Sequence, residues 1–344
     1  RVGLLKAFLS SPDACIKTIN KRVRKIERRL SVLNGEVLED EELDDFDFLD
    51  DEEDLEEIKL SLSGLREENE KTLDKLISDH TTLIKLASLA EAVTPENFSK
   101  YQELLKLLQQ ENINASKESP RVIIFSERIA TLNFLVERLR EAFNASEEAI
   151  VKFDAGLPDV EQIRIVESFG KEDSPIRILV ASNVAAEGVN LHYYCNRMIH
   201  FDIPWSLIIL EQRNGRIDRY GQHQTPYIYY LLTESKNETV RGDLRILDRL
   251  IEKEQEAHKN LGDAATLMGL YDSKKEEDTI TKGLVDGKTP EDIIPDDPID
   301  VMNDIFNQIP QTTVKEDPRN QIPSLFGDVF TFARAAFDEM LTSD

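Results

Sequence analysis

The sequence predicts an α/β fold in which helices cover both faces of a parallel sheet. Short apolar runs, among them RVIIFS, AIVKF, IRILVAS, NRMIHF and YIYYLL, alternate with segments of helical periodicity. As a group these runs are largely apolar, which is typical of strands that are buried on both faces. The two observations together predict a doubly wound parallel-sheet domain over roughly residues 119–235.

Helices are predicted before this sheet. Apolar residues from Ile16 to Leu33 recur at spacings of three and four, and a second seam of this kind runs from Leu55 to Leu76. Two seams joined by the acidic stretch 35–57 predict an antiparallel, coiled-coil-like hairpin. Two ordinary helices on a larger core are the alternative. We therefore assign residues 1–118 to an N-terminal segment with a helical protrusion.

The chain after the sheet is predicted to be partly helical and partly irregular. Residues 236–270 contain a further amphipathic pattern and predict a bracing helix. From Lys274 to Pro323 the sequence is rich in Asp, Glu and Pro, which predicts a mostly irregular acidic linker. A last apolar-faced helix is expected near the end of the segment 271–344.

Composition limits the function. A formal net charge of -25 opposes nucleic-acid binding, but much of the excess lies in the stretch 35–57, and the segment 17–29 is basic. No apolar run approaches ~18 residues and no signal peptide is evident, so we expect a cytoplasmic protein with no membrane partner. Cys15, Cys195 and the five histidines have no metal-binding spacing, so no metal site is expected.

Polar or glycine-bearing loops follow the predicted strands, where open α/β sheets bind ligands. Gly156 and Gly188 would let a backbone approach a ligand closely. The stretch EQRNGRIDRYGQ adds Arg213, Arg216 and Arg219, three residues apart. Such a row is repulsive unless local carboxylates or an anionic ligand neutralise it.

Three of these stretches occur in a specific order, namely RVIIFSE, RILVASNVAAEGVNL and QRNGRIDRYGQ. They resemble motifs IV, V and VI of superfamily 2 helicases. With DIPW before the last of them, the sequence is similar to Swi/Snf-type ATPases, in particular the bacterial RapA-like class. The resemblance covers residues 1 to about 270 and implies the second RecA-like lobe of a P-loop NTPase-type enzyme.

The resemblance implies a nucleotide site on motifs V and VI. Arg216 and Arg219 match the catalytic arginine fingers, whose planar charged forks suit developing charge on a transferred phosphoryl group. Gln212, Gly188 and Asn190 match positions that bind or order the nucleotide cofactor.

The resemblance also implies a nucleic-acid track on motifs IV and V. It assigns phosphate contacts to Ser126, Arg128, Thr131 and Ser182, with Gly156 beside them. For Ser126 and Thr131, a helix N-cap and an exposed helix residue are the alternative interpretation.

Four neighbouring positions are open to other readings. A salt bridge from Arg213 to Glu211 or Asp218 is as compatible with the sequence as a nucleotide contact. Asn183 stands where the family often has Asp, so an acidic contact to the motif VI arginines should be missing. Trp205 is expected to pack in the core or at the lobe surface, with stacking on a base as the alternative. Glu187, usual in bacterial members, is alternatively a helix cap.

A P-loop, GxxxxGK[ST], and a DExx strand are missing from the sequence. We therefore expect the chain to correspond to the C-terminal part of a longer enzyme and to be inactive alone. ATP and Mg would be held mainly by a first RecA-like lobe.

The function expected from the resemblance is that of an ATP-dependent double-stranded DNA translocase. Its partners would be double-stranded DNA, the N-terminal RecA-like lobe, and RNA polymerase or another DNA-bound protein. A polymerase-recycling factor and a DNA-defence translocase are alternatives. A non-catalytic scaffold with a DNA-mimicking acidic arm is an alternative of another class. In the enzyme, the acidic stretch 35–57 would be either a solvated connection or an autoinhibitory arm.

Overall fold

The structure is a computed structural model. It describes residues 2–33, 69–183, 191–234, 245, 248–252, 273–285, 288 and 293, all within the unit Arg1–Val301. The acidic stretch 35–57, Gly188, Asn190 and the predicted terminal helix lie outside the described residues.

Thirteen elements are numbered here in chain order over the described residues. They are α1 (Val2–Ser10), α2 (Pro12–Leu33), α3 (Asn69–Glu91), α4 (Ser99–Gln110), β1 (Val122–Phe125), α5 (Ile129–Phe143), β2 (Ile150–Phe153), α6 (Asp159–Phe169), β3 (Ile178–Ala181), β4 (Arg197–His200), α7 (Leu207–Asn214), β5 (Tyr227–Tyr230) and α8 (Ser273–Val285).

The five strands form one parallel sheet in the order β2-β3-β1-β4-β5. Strands β1 and β3 are buried at every position, as their continuous apolar sequences predict. Because the order reverses after β1, loops from both halves of the sheet meet at its carboxyl edge. The predicted doubly wound α/β class is confirmed.

Two separate apolar clusters cover the two faces of the sheet. On one face Leu104 of α4 and Leu135 of α5 pack against Ile124. On the other, Phe169 of α6 and Ile217 pack against Ile123, the next residue of the same strand. Alternate residues of β1 therefore enter opposite layers, as the period of a strand requires.

Helices α2 and α3 pack against each other in opposite directions. Ile19, near the start of α2, belongs to the same cluster as Ala90, near the end of α3. Farther along, Glu27 Oε1 lies 3.0 Å from His80 Nε2. The predicted first seam is thus used, whereas most of the predicted second seam lies outside the described residues.

One segment of the predicted linker has a different structure. Residues 273–285 form helix α8, although the sequence from Lys274 onward predicted a mostly irregular linker. Packing of the fully buried Ile280 stabilises this helix, and the buried carboxyl of Glu276 accepts hydrogen bonds from Ser206 and Ile208. Helix α7 ends at Asn214, and Gly215 is its C-cap residue.

The four predicted segment boundaries stay predictions. Within the described ranges, no helix is both long enough and apolar enough to cross a membrane.

Candidate nucleotide and nucleic-acid site

The carboxyl edge of the sheet holds a buried polar network. Strands β1, β3 and β4 end there in Ser126 and Glu127, Ser182 and Asn183, and Asp202. Helix α7 ends at this edge, and its Arg213 inserts between the strand ends. The network therefore joins motifs IV, V and VI through one side chain.

Arg213 is 2% exposed and touches three loops. Its Nε donates to Asn183 Oδ1 at 2.5 Å and its Nη1 to the Asp202 carbonyl at 3.0 Å. Its Nη2 lies 3.8 Å from carboxylate oxygens of both Glu127 and Asp202, and its guanidinium lies over Phe125. Burial lowers the pKa of Arg213 and raises that of Glu127, and each charge partly opposes the shift of the other.

These contacts bear on the alternative for Arg213 and on the missing family Asp. The acidic groups at salt-bridge distance from Arg213 are Glu127 and Asp202, rather than Glu211 or Asp218, which the sequence had left as an alternative. Asn183 loses the charge of the family's usual Asp but keeps a contact to motif VI as a hydrogen bond. The negative charge comes instead from the loops after β1 and β4.

His200 extends the network to β5. The side chain is fully buried, and burial followed by the nearby Arg213 lowers its pKa to about 3. A neutral ring fits its neighbours: Nδ1 accepts from Arg213 Nη1 at 3.3 Å and Nε2 donates to Asn214 Oδ1 at 2.8 Å. Asn214 Nδ2 then donates to the Tyr230 hydroxyl at 3.0 Å. The last two residues of α7 are thereby tied to two strands.

A chain of hydroxyls joins the α1–α2 junction to the same edge. Ser10 Oγ donates to Asp202 Oδ2 at 2.7 Å, so it accepts from Thr131 Oγ1, also at 2.7 Å. Thr131 in turn accepts from Ser11 at 2.7 Å, and Ser126 Oγ donates to Asp202 Oδ2 at 2.5 Å. Every hydroxyl of this chain is bound within the protein.

Ser126 and Thr131 are accordingly inaccessible in this arrangement, with exposed fractions of 0%. The phosphate contacts predicted for them stay predictions, and they require the junction to move away. The alternative of an exposed Thr131 was wrong, and the N-cap position of α5 belongs to Arg128 rather than Ser126.

The other residues that are predicted to contact nucleic acid lie at the same carboxyl edge of the sheet. Ser182 is 6% exposed, and its Oγ finds no hydrogen-bond partner among the residues that the structure describes. Gly156 is exposed, and its N–H donates to Asp154 Oδ1 at 2.8 Å. Arg128 is half-buried and lines a cleft together with Lys6 and Lys100.

The second half of the arginine row lies in a different setting. Arg216 is half-buried, and Arg219 and Gln212 are exposed. Gln222 fixes the turn that follows, because its Nε2 lies within 3.2 Å of the carbonyl oxygens of His192, Cys195 and Ile217. Since residues 192 and 195 precede β4, this turn lies toward the amino edge of the sheet.

Comparisons with known proteins identify one domain within the chain. Residues 99–221 match the model of the helicase conserved C-terminal domain. This stretch is a helicase C-terminal domain. The match contains motifs IV, V and VI in order, so the resemblance to the second lobe of superfamily 2 helicases is confirmed.

Curated relatives of the helicase domain share about a third of its residues. The uncharacterized ATP-dependent helicase YqhH of Bacillus subtilis is 31% identical over 180 residues, which are 52% of this chain and 29% of that protein. The RNA polymerase-associated protein RapA of Vibrio cholerae is 31% identical over 121 residues, 35% of this chain and 12% of that protein. The chain therefore matches less than a third of the length of either relative.

A solved structure, the C-terminal part of the Fun30 ATPase domain, is 20% identical to the chain. It covers 67% of this chain and 68% of its own, with a TM-score of 0.36. The fold assignment of the helicase domain rests instead on the strand order and on the two covered faces of the sheet.

Sequence reasoning missed several residues of the network. His200 and Asn214 gave no signal, because a buried neutral histidine and a helix-terminal asparagine are common. Asp202 lies within the DIPW stretch. Its two serine partners could not be predicted, because Ser126 is 76 residues away along the chain and Ser10 is 192 residues away. Trp205, expected in the core, is 2% exposed, and that prediction is confirmed.

Proposed function

We propose that the chain supplies the second RecA-like lobe of a Swi/Snf-type, ATP-driven translocase on double-stranded DNA. The helicase domain and the ATP-dependent helicase among its relatives support ATP use by the full protein. The exposed end of motif VI would face a first lobe that carries ATP and Mg²⁺. The loops at the carboxyl edge would follow a DNA strand.

The observation that carries the proposal is the difference in burial along the arginine row. Arg213 is buried and bound by the lobe itself, so it cannot reach a ligand. Arg219, six residues on, is exposed, and Arg216 is half-buried. A row anchored at one end can present its other end in a fixed place. That is what a guanidinium needs to meet developing charge in phosphoryl transfer.

The nucleotide would lie between Arg216, Arg219 and the first lobe. Gln212, Gly188 and Asn190 are the further residues that we assign to it. The first lobe would hold most of ATP and Mg²⁺, since the printed sequence has no GxxxxGK[ST]. The arginines of this lobe would then stabilise the transferred group when the lobes close.

DNA contacts would involve the loops after β1, β2 and β3. Arg128 supplies a positive charge there, and Ser182 has a buried hydroxyl without a described partner. Gly156 leaves its loop open to close approach. A phosphate track of this kind would make binding weaken as salt rises, in spite of the acidic total charge.

The test is turnover of the full-length protein on duplex DNA. We expect Arg216→Ala and Arg219→Ala each to lower kcat by at least ~10²-fold while DNA affinity changes only a few fold. Arg164→Ala is the matched control, because Arg164 is an exposed arginine of α6 paired with Glu161. Unchanged turnover in the motif VI variants would refute the proposal.

The isolated chain gives a second test. We expect it to bind ATP weakly and to hydrolyse none above background, because the phosphates would lack their main binding loop. DNA-stimulated hydrolysis by the purified chain would contradict this expectation.

RNA polymerase is a second candidate target. One relative carries the name RNA polymerase-associated protein. Co-sedimentation of the full-length protein with core RNA polymerase, with and without DNA, tests this candidate. Failure to bind polymerase while translocating on DNA would leave another DNA-bound protein as the target.

A further inference from the structure

We propose that Glu276 is a positioning residue for motif VI, holding the first turn of α7 in place from helix α8. The inference rests on the proposed function, because it takes Arg216 and Arg219 to act on the nucleotide. It gives the segment after the helicase domain a part in catalysis. Nothing in the sequence pattern around Glu276 had indicated one.

Glu276 makes its contacts at the amino end of α7. Its side chain is fully buried, and its Oε2 accepts from Ser206 Oγ at 2.6 Å and from the Ile208 amide at 3.3 Å. Ser206 Oγ also accepts from the Ile209 amide at 3.2 Å. The carboxyl and the hydroxyl thus satisfy two amides that lack a partner inside the helix. Negative charge is also favourable at this end of a helix.

Helix α7 is held at its other end by the buried network. Arg213 and Asn214 bind Asp202 and His200. With only eight residues between Ser206 and Gly215, a helix fixed at both ends cannot slide along its axis. The turn that carries Arg216 and Arg219 starts where the helix stops, so release of the first turn would shift these arginines. A displacement of about 1 Å can lower a rate by ~10²-fold.

Helix α8 has a second contact, which supplies a control. Glu277 Oε2 pairs with Lys6 Nζ of α1 at 3.2 Å, and Lys6 lies over Trp205, the residue before Ser206. Glu277 is therefore an adjacent carboxylate on the same helix with a partner outside α7. Replacing it should weaken the attachment to α1 without removing the cap of α7.

The chemistry of Glu276 suggests a conservative replacement. Burial raises its pKa, and its Oε1 has no hydrogen-bond partner among the described residues. A glutamine keeps an acceptor oxygen for Ser206 and Ile208 and carries no charge to bury. An alanine keeps neither contact.

The experiment compares Glu276→Ala, Glu276→Gln and Glu277→Gln in the full-length enzyme. We expect Glu276→Ala to lower kcat at least tenfold with the KM for ATP within threefold. Glu276→Gln should stay within threefold of the wild-type kcat and Glu277→Gln within twofold. A wild-type kcat in Glu276→Ala overturns the inference, and so does a Glu276→Gln enzyme as slow as the alanine variant.

Two further measurements separate the possible failures. Arg219→Ala is assayed alongside: if it retains turnover, the proposed function fails, whereas if it alone collapses, only the role of Glu276 fails. Amide hydrogen exchange of residues 207–214 should be faster in Glu276→Ala than in Glu277→Gln, independently of activity. If Glu276→Ala does not fold, Ser206→Ala removes the same link and should lower kcat at least threefold. A smaller loss overturns the inference.

Discussion

Arg213 and Arg219 belong to one motif, six residues apart, and they occupy opposite environments. Arg213 is buried among Asn183, Asp202 and Glu127, whereas Arg219 is exposed within the turn that Gln222 holds. Equal spacing in the sequence therefore conceals two roles. One arginine is buried inside the lobe, and the other lies at its surface.

The largest expected effect on folding stability comes from replacing Arg213, at the buried end of the arginine row. Arg213→Met would leave the largely buried carboxylates of Glu127 and Asp202 without their shared cation, so we expect a loss of about 3–5 kcal/mol in the free energy of unfolding. Arg219→Ala should change it by less than about 0.5 kcal/mol. Chemical denaturation of both variants measures the contrast. Equal losses would erase the distinction between the two ends.

The second expected effect is a loss of folding stability at acidic pH, through His200 beside Arg213. The folded-state pKa of His200 is about 3, below the unfolded value near 6.5, so only the unfolded chain takes up a proton in between. Stability should therefore fall as pH falls from about 6.5, by roughly 1.4 kcal/mol per pH unit from this group. His200→Gln should lack this contribution. Urea denaturation at pH 7, 6 and 5 checks it, and parallel curves for the two proteins would contradict it.

The stability of the turn at the exposed end of the arginine row should depend on Gln222. Gln222→Ala removes a side chain whose Nε2 reaches three carbonyl groups, and we expect a cost of about 1–2 kcal/mol. Gln224→Ala is the control, since Gln224 contributes only a backbone N–H to Gln222. Thermal unfolding gives the stability, and amide exchange across residues 215–222 reports the turn. Unaltered exchange would mean that the turn is held by other contacts.

The smallest effect concerns the loop after β2. A Cβ added to Gly156 would lie 2.9 Å from Asp154 Oδ1, so Gly156→Ala should cost about 1 kcal/mol. The penalty should disappear when Asp154 is also replaced by Ala, because the crowding atom is then gone. A double-mutant cycle by chemical denaturation tests this coupling. A penalty that persists in the double variant would place the strain elsewhere.

The sheet could be predicted from the sequence because each buried strand is a continuous apolar run. The row of arginines could be noticed for its spacing, and its motif assigned by resemblance. The different environments of its arginines could not be predicted, because their equal spacing gives no sign that α7 ends at Asn214, in the middle of the row. The partners of Arg213 come from loops after three different strands, which only the folded sheet brings together.

The burial of Glu276 is a second feature that could not be predicted from the sequence. The letters KKEED are typical of a solvated segment, and charge patterns alone assign them to the surface. The carboxyl is stable in a buried place because it accepts hydrogen bonds from the Ser206 hydroxyl and the Ile208 amide at the start of α7. That requirement depends on the packing of α8 against the lobe, which no local pattern encodes.

The hydroxyl chain between Ser10 and Asp202 also has a consequence for the order of folding. Its two ends are 192 residues apart in the sequence, so the contact closes a very long loop. During synthesis, Ser10 leaves the ribosome long before Asp202 exists, and the α1–α2 junction must wait for β4 before it can be fastened. Contacts of such high sequence separation form late and slowly. The loop after β1 should therefore be among the last parts of the nascent lobe to become protected from solvent.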